Sequence, residues 1–163
     1  MEARKVTDGD QGGDKPAALL ALEADPRVVV VQDVIRYADL DANGHVNNAV
    51  YATLSESGRV RYQNECVTPI SPPDIFYVVV RVAIDFTAEA FYPSNAFTAT
   101  WVERLGRTSI TFGQEIYSGG RLVARAQAVS VIMDVESRRP TPLSDAVRDA
   151  LSARLRPASE ASG

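Results

Sequence analysis

Residues 39–48 read Asp-Leu-Asp-Ala-Asn-Gly-His-Val-Asn-Asn, a run that concentrates two carboxylates, three side-chain amides and one imidazole. A carboxylate in such a run can act as a nucleophile or as a general base for water. The run lies where a strand pattern ends and a helix pattern begins. The first amides of a helix have no intrahelical acceptor, so an oxygen that gains negative charge is stabilised there. Asp41 precedes Asn48 by seven residues, close enough in a compact loop to face those amides. A carboxylate beside amide donors is the minimum for hydrolysing an acyl bond. The same residue types also make plain turns, because Asn-Gly is a strong turn dipeptide and Asp and Asn bind nearby amides. On composition alone both readings stand. His45, the only histidine, has no second imidazole or nearby thiol to share a metal with, so no metal site is expected.

The elements that must hold this run flank it. Val28 to Tyr37 opens as a continuous apolar run and then alternates, as a strand covered on both faces for part of its length does. Asn48 to Cys66 places Val50, Tyr51, Leu54, Gly58, Arg61 and Tyr62 at helical spacing, with Asn47 or Asn48 suited to the N-cap. Pro69, Pro72 and Pro73 forbid its continuation. Four strand segments follow: Ile75 to Thr87, Ala96 to Leu105, Thr108 to Ser118 and Leu122 to Val135. Ser118-Gly119-Gly120-Arg121 joins the last two as a hairpin, and Leu105-Gly106-Arg107 makes another turn. The expected fold is α+β: one long helix wrapped by a curved, mainly antiparallel sheet of about five strands, the last four forming a meander. Ser144 caps a C-terminal helix with Val147, Leu151 and Leu155 on one side.

The expected organisation is one domain over residues 27–156, a disordered N-terminal tail over 1–26 and a C-terminal tail over 157–163. Within the first tail, Ala17 to Ala24 has room for one or two helical turns before Pro26 closes them. Apolar types at 45% against charged types at 23% suit a soluble globular domain. The lone Cys66 excludes an internal disulfide framework and suits a reducing compartment. With no signal-like start and no apolar run of membrane-spanning length, a cytoplasmic location is expected and no membrane partner. A net charge of -4 with scattered basic residues argues against a nucleic-acid partner. Long strands leave edges that a homodimer or homotetramer would cover.

Arg36 through Glu56 resembles the signature of hotdog-fold thioesterases of the 4-hydroxybenzoyl-CoA thioesterase type. Its Asp-x-Asn-x-His-Val-Asn-Asn form is similar to that of plant acyl-acyl-carrier-protein thioesterases and related bacterial acyl-CoA thioesterases. The order of strand, helix and four strands matches that fold over residues 28–135. The resemblance implies hydrolysis of an acyl-CoA or acyl-carrier-protein thioester to a free acid and a thiol, in fatty acid metabolism. It implies no metal and no cofactor, coenzyme A entering only as part of the substrate.

Carried over by position, Asp41 matches the catalytic carboxylate, and the backbone amide of Asn48 the donor that polarises the thioester carbonyl. Asn43 and His45 match assisting positions, although His45 could equally hold the loop. Asn47, Tyr51, Glu56, Arg104 and Arg107 are the substrate-binding candidates. Each has a structural reading beside it: Asn47 as helix cap, Tyr51 as helix core, Glu56 as a salt-bridged helix residue, and the arginines as solvated turn charges that could otherwise clamp the phosphates of coenzyme A. Asp39 braces the turn, and Cys66 is read as a buried structural thiol. Phe76, Phe86, Phe91 and Trp101 are candidates to close an acyl tunnel. The competing functions are a hydratase or dehydratase on the same fold and a non-catalytic acyl-thioester-binding module.

Overall fold

Apolar alternation resolves into one five-stranded sheet in the computed structural model, which describes residues 15–158. The elements are α1 (Ala17–Ala24), β1 (Val29–Ile35), α2 (Asn48–Tyr62), β2 (Ile75–Phe86), β3 (Ser94–Leu105), β4 (Ser109–Ser118), β5 (Arg121–Asp134) and α3 (Asp145–Ser152). The strand order is β1-β3-β4-β5-β2, and every neighbouring pair is antiparallel. Both glycine turns make the expected hairpins.

The meander, however, is three strands long rather than four. β2 does not pair with β3 but runs along the far side of β5, with Ile75 opposite Asp134 and Phe86 opposite Ala124. β1 takes the β3 edge, Ile35 facing Ser94. A period of two says which face a residue occupies, not which strand lies beside it.

One sheet face carries α2, laid over β3, β1 and β4, which buries Tyr51, Leu54 and Tyr62. Gly58 sets the approach: a Cβ there would stand 2.6 Å from both Thr100 Oγ1 and Thr98 Cγ2, so any side chain would push the helix off the sheet. The polar groups beneath are matched. Gln114 donates to the Ser55 carbonyl at 2.8 Å and to Thr100 Oγ1 at 2.9 Å. Beyond Tyr62 the chain widens into a π-helical turn over Gln63–Val67, which contains the expected helix end at Cys66. α3, capped by Ser144 as expected, buries Val147 and Leu151 against Tyr62, Val102 and Phe112.

The opposite face carries α1. Leu19 and Leu22 are buried among Phe97, Ala99, Trp101 and Tyr117. Burying two leucines contributes roughly 3–6 kcal/mol, enough to dock a helix too short to persist alone. The disordered tail expected over 1–26 is therefore corrected from Ala17 onward; the rest of that expectation concerns residues 1–14, outside the described residues, as are 159–163 of the C-terminal tail. Because α2 lies toward β1, β2 is left as an edge with Val78, Val80, Val82 and Phe86 exposed. Among the described residues no helix is long and apolar enough to cross a membrane.

Candidate active site

The polar run leaves β1 through a 3-10 turn at Tyr37–Asp39. Asp39 is buried and accepts from the Arg36 amide and from Arg36 Nη2, both at 2.7 Å. That guanidinium holds the Asp39 carboxyl below the usual carboxylate range. The Asp39 carbonyl in turn takes the Asn47 amide at 2.8 Å, so Asp39 is scaffold, as expected. Leu40 and Val46 pair as a bridge, and the Val46 amide donates to the Ala90 carbonyl at 2.9 Å. The run is thus a small hairpin stapled to the connection between β2 and β3. Its tip closes by the Gly44 amide on the Asp41 carbonyl, with Gly44 at φ 76°, a conformation that glycine adopts without strain.

Asp41 makes the turn with one carboxylate oxygen and leaves the other uncommitted among the described residues. Its Oδ1 accepts from the amides of Asn43 at 2.8 Å and His45 at 3.2 Å, which is the turn chemistry. Its Oδ2 has no partner among the described residues, and the residue is partly exposed. Asn47 caps α2, its Oδ1 taking the Ala49 amide at 2.9 Å. Asn48, the first residue of α2, is exposed, and among the described residues its amide meets no acceptor. Asn43 is exposed at the tip.

His45 Nδ1 lies 3.4 Å from Glu89 Oε1, and its ring stands edge-on to Phe91 with centroids 5.2 Å apart. Arg121, the first residue of β5, donates to the Glu89 carbonyl at 2.7 Å and lies over the Phe91 ring. Tyr51 is helix core: it is buried edge-on to Phe86, and burial pushes its phenol up. Glu89, Ala90, Phe91 and Arg121 therefore complete the wall around the run. Sequence reasoning missed three of these and named Phe91 only as a tunnel candidate. Residues 87–93 carry no periodic signal, so nothing ties them to a loop forty residues away.

Other candidates stand apart. Glu56 is exposed two turns along α2 and makes no ion pair among the described residues; its charge reaches the buried Arg59, whose guanidinium is pushed down by desolvation. Arg104 and Arg107 sit at the β3–β4 turn. β3 begins beside the end of β1, and eleven steps at about 3.3 Å carry it roughly 35 Å away, so one chain does not bring these arginines to Asp41. Trp101 lies on the α1 face and cannot close a tunnel beside α2, and Phe76 packs under the Arg138 guanidinium. Phe91 adjoins the loop at His45, and Phe86 stands against Tyr51 of α2. Burial pushes the Cys66 thiol up, which leaves it a poor nucleophile. Among the described residues no group of His, Cys, Asp and Glu could hold a metal.

Residues 35–151 match the family described as the thioesterase-like superfamily. Among solved structures, the chain is similar to a predicted thioesterase from Bacillus stearothermophilus, at 25% identity and TM-score 0.71, over 80% of this chain and 98% of that one. It is similar to a thioesterase from Thermus thermophilus, complexed with coenzyme A and zinc, at 31% identity and TM-score 0.65, over 76% and 96% of the two chains. A dihydroxynaphthoyl-CoA thioesterase from Staphylococcus aureus shares the fold at 22% identity and TM-score 0.67, over 77% and 89%. No curated protein matches the sequence.

Proposed function

The chain belongs to the thioesterase-like superfamily and is a thioester hydrolase with the hotdog fold, and we propose that its substrate is an acyl-coenzyme A thioester, cleaved to a free acid and coenzyme A. An acyl-carrier-protein thioester is the second form of the same reading. The similarity to a relative complexed with coenzyme A supports the first.

One observation carries the reading. Asp41 has one carboxylate oxygen fixed by two backbone amides and the other uncommitted, in the hairpin that leads into a helix whose first amide is also uncommitted among the described residues. In this reading Oδ2 attacks the thioester carbonyl carbon, or takes a proton from a water that does so. The carbonyl oxygen gains negative charge and accepts a hydrogen bond from the Asn48 N–H, the C–S bond breaks and the thiolate leaves; after direct attack, water then hydrolyses the mixed anhydride on Asp41 to the free acid. Losing such a donor costs about 3 kcal/mol of transition-state stabilisation. His45 and Asn43 assist by holding the loop, and the contact to Glu89 supports that role for His45. No cofactor is needed beyond the coenzyme A of the substrate, and the single free thiol suits a cytoplasmic setting.

The exposed apolar β2 edge supports a homodimer or homotetramer, in which Arg104 and Arg107 of one copy could serve the loop of another. The test is free-thiol release over a panel of aromatic, short-chain and long-chain acyl groups on coenzyme A and on carrier protein. Hydrolysis faster on coenzyme A supports the proposal. No thiol release from any member would overturn it.

A further inference from the structure

Two segments outside the family-matched residues meet over the sheet face opposite α2: α1 with Asp25 on one side, and on the other Arg156, whose amide donates to the Val102 carbonyl at 2.9 Å. Between them and the sheet lies a cavity of about 210 Å³. Ala18, Ala21 and Leu22 make its apolar wall, and Asp25, Glu115, Tyr117, Arg125 and Arg156 its polar wall.

The polar wall is ordered and its acceptors are already engaged. Glu115 is buried and accepts from the Tyr117 hydroxyl and from Arg125 Nε at 3.1 Å. Asp25 is forked by Arg27, with contacts of 2.9, 3.0 and 3.2 Å, and lies 3.6 Å from Arg156 Nε. The donors of the lining are not all engaged. Arg156 lies over the Trp101 ring at 4.7 Å with its side chain 14% exposed, and its buried Nη1 has no partner among the described residues. Arg125 commits only Nε, and among the described residues its Nη groups meet no acceptor. Within the lining, Arg125 pairs with Glu115 and Arg156 faces Asp25, which leaves Arg156 Nη1 as the buried donor without an acceptor among the described residues. A buried donor without an acceptor is costly, and a carboxylate matches the fork of a guanidinium.

We propose that this cavity binds a small carboxylate, its oxygens on Arg125 and Arg156 and its short aliphatic or aromatic body against Ala18, Ala21 and Leu22. At about 210 Å³ the cavity is smaller than drug-sized sites, which run from about 300 Å³ upward, and this suits a short body. The loop of Asp41 packs through Val46 into the core on the α2 side, so the two sites lie on opposite faces of the sheet. The inference does not rest on the hydrolase reading.

Trp101 is the only tryptophan, and its ring under Arg156 makes it the reporter. The full chain is titrated with benzoate and isovalerate and with their amides, followed by intrinsic fluorescence and calorimetry. Saturable binding of the carboxylates is expected. Binding should weaken about tenfold or more for the amides, for Arg156→Gln and for Ala21→Phe, the last an exposed α1 position where bulk fills the cavity without disturbing the core. Asp41→Asn should bind normally. The inference is overturned by no saturable binding, by equal affinity for the amides, or by binding lost in Asp41→Asn and kept in both cavity variants while thermal unfolding shows all of them folded.

Discussion

Asp41 and His45 are tied to each other twice: the Asp41 amide donates to the His45 carbonyl at 2.8 Å, and the His45 amide donates back to Asp41 Oδ1 at 3.2 Å. Chemistry and turn structure can therefore be separated at this one residue. Asn keeps an oxygen at Oδ1 for both amides but cannot attack or take a proton. Asp41→Asn should cut kcat by about 10²–10⁴ with an unchanged melting temperature. Asp41→Ala should also lose about 1 kcal/mol or more of stability, because two amides lose their acceptor. Near-normal thiol release by the Asn variant would remove Asp41 from the reaction.

His45 touches Glu89 and Phe91, an arrangement that positions the loop. His45→Gln and Glu89→Gln should each lower kcat by a similar factor, smaller than that of Asp41→Asn. The check is steady-state kinetics of the three variants side by side. A His45→Gln defect as deep as that of Asp41→Asn, with Glu89→Gln normal, would make His45 a direct proton carrier instead.

Asn47 holds the start of α2, and with it the Asn48 amide. Asn47→Ala should cost about 1 kcal/mol, a melting shift of roughly 2–4 °C for a chain of this size. If that amide polarises the carbonyl, kcat should fall while KM changes little. A stability loss with unaltered kcat would separate the cap from the chemistry.

The acid limit follows from Asp39. Its carboxyl is held low by Arg36, so its folded value lies beneath its unfolded one. The contribution to stability is full above the unfolded value of about 3.9 and is lost as pH falls through the lower folded value. Melting temperature against pH should drop less steeply below about pH 4 in Asp39→Asn than in the parent. Identical slopes would assign the acid transition to other carboxylates.

Much of the site was legible because it is local. Asp39, Asp41 and Asn47 accept from amides two to eight residues away, and short-range hydrogen bonding follows from residue type and spacing. The hairpins at Gly106 and at Gly119-Gly120 were readable for the same reason. What stayed hidden is long-range. β2 pairs with β5 across the chain, and Ala90 staples the loop through its carbonyl, a group every residue carries. The docking of α1 turned on Leu19 and Leu22, whose partner face on β3 and β4 alternation could not identify.

That long-range placement also bears on assembly. β2 is a twelve-residue edge that presents Val78, Val80, Val82 and Phe86 to solvent, a surface that invites another strand. A second copy can pair its own β2 there about a two-fold axis, which covers both edges with one contact. Light scattering should therefore give a multiple of 17.6 kDa, and Val80→Lys with Val82→Lys should shift it toward the monomer. Arg104 and Arg107 lie roughly 35 Å along β3 from the start of that strand, so if they hold phosphates, the proposed assembly gives them a partner's substrate to hold. Neutralising both should raise KM for an acyl-CoA but not for a short thioester without phosphates, with kcat nearly unchanged. A clean monomer at micromolar concentration that hydrolyses acyl-CoA at the full rate would refute this assembly.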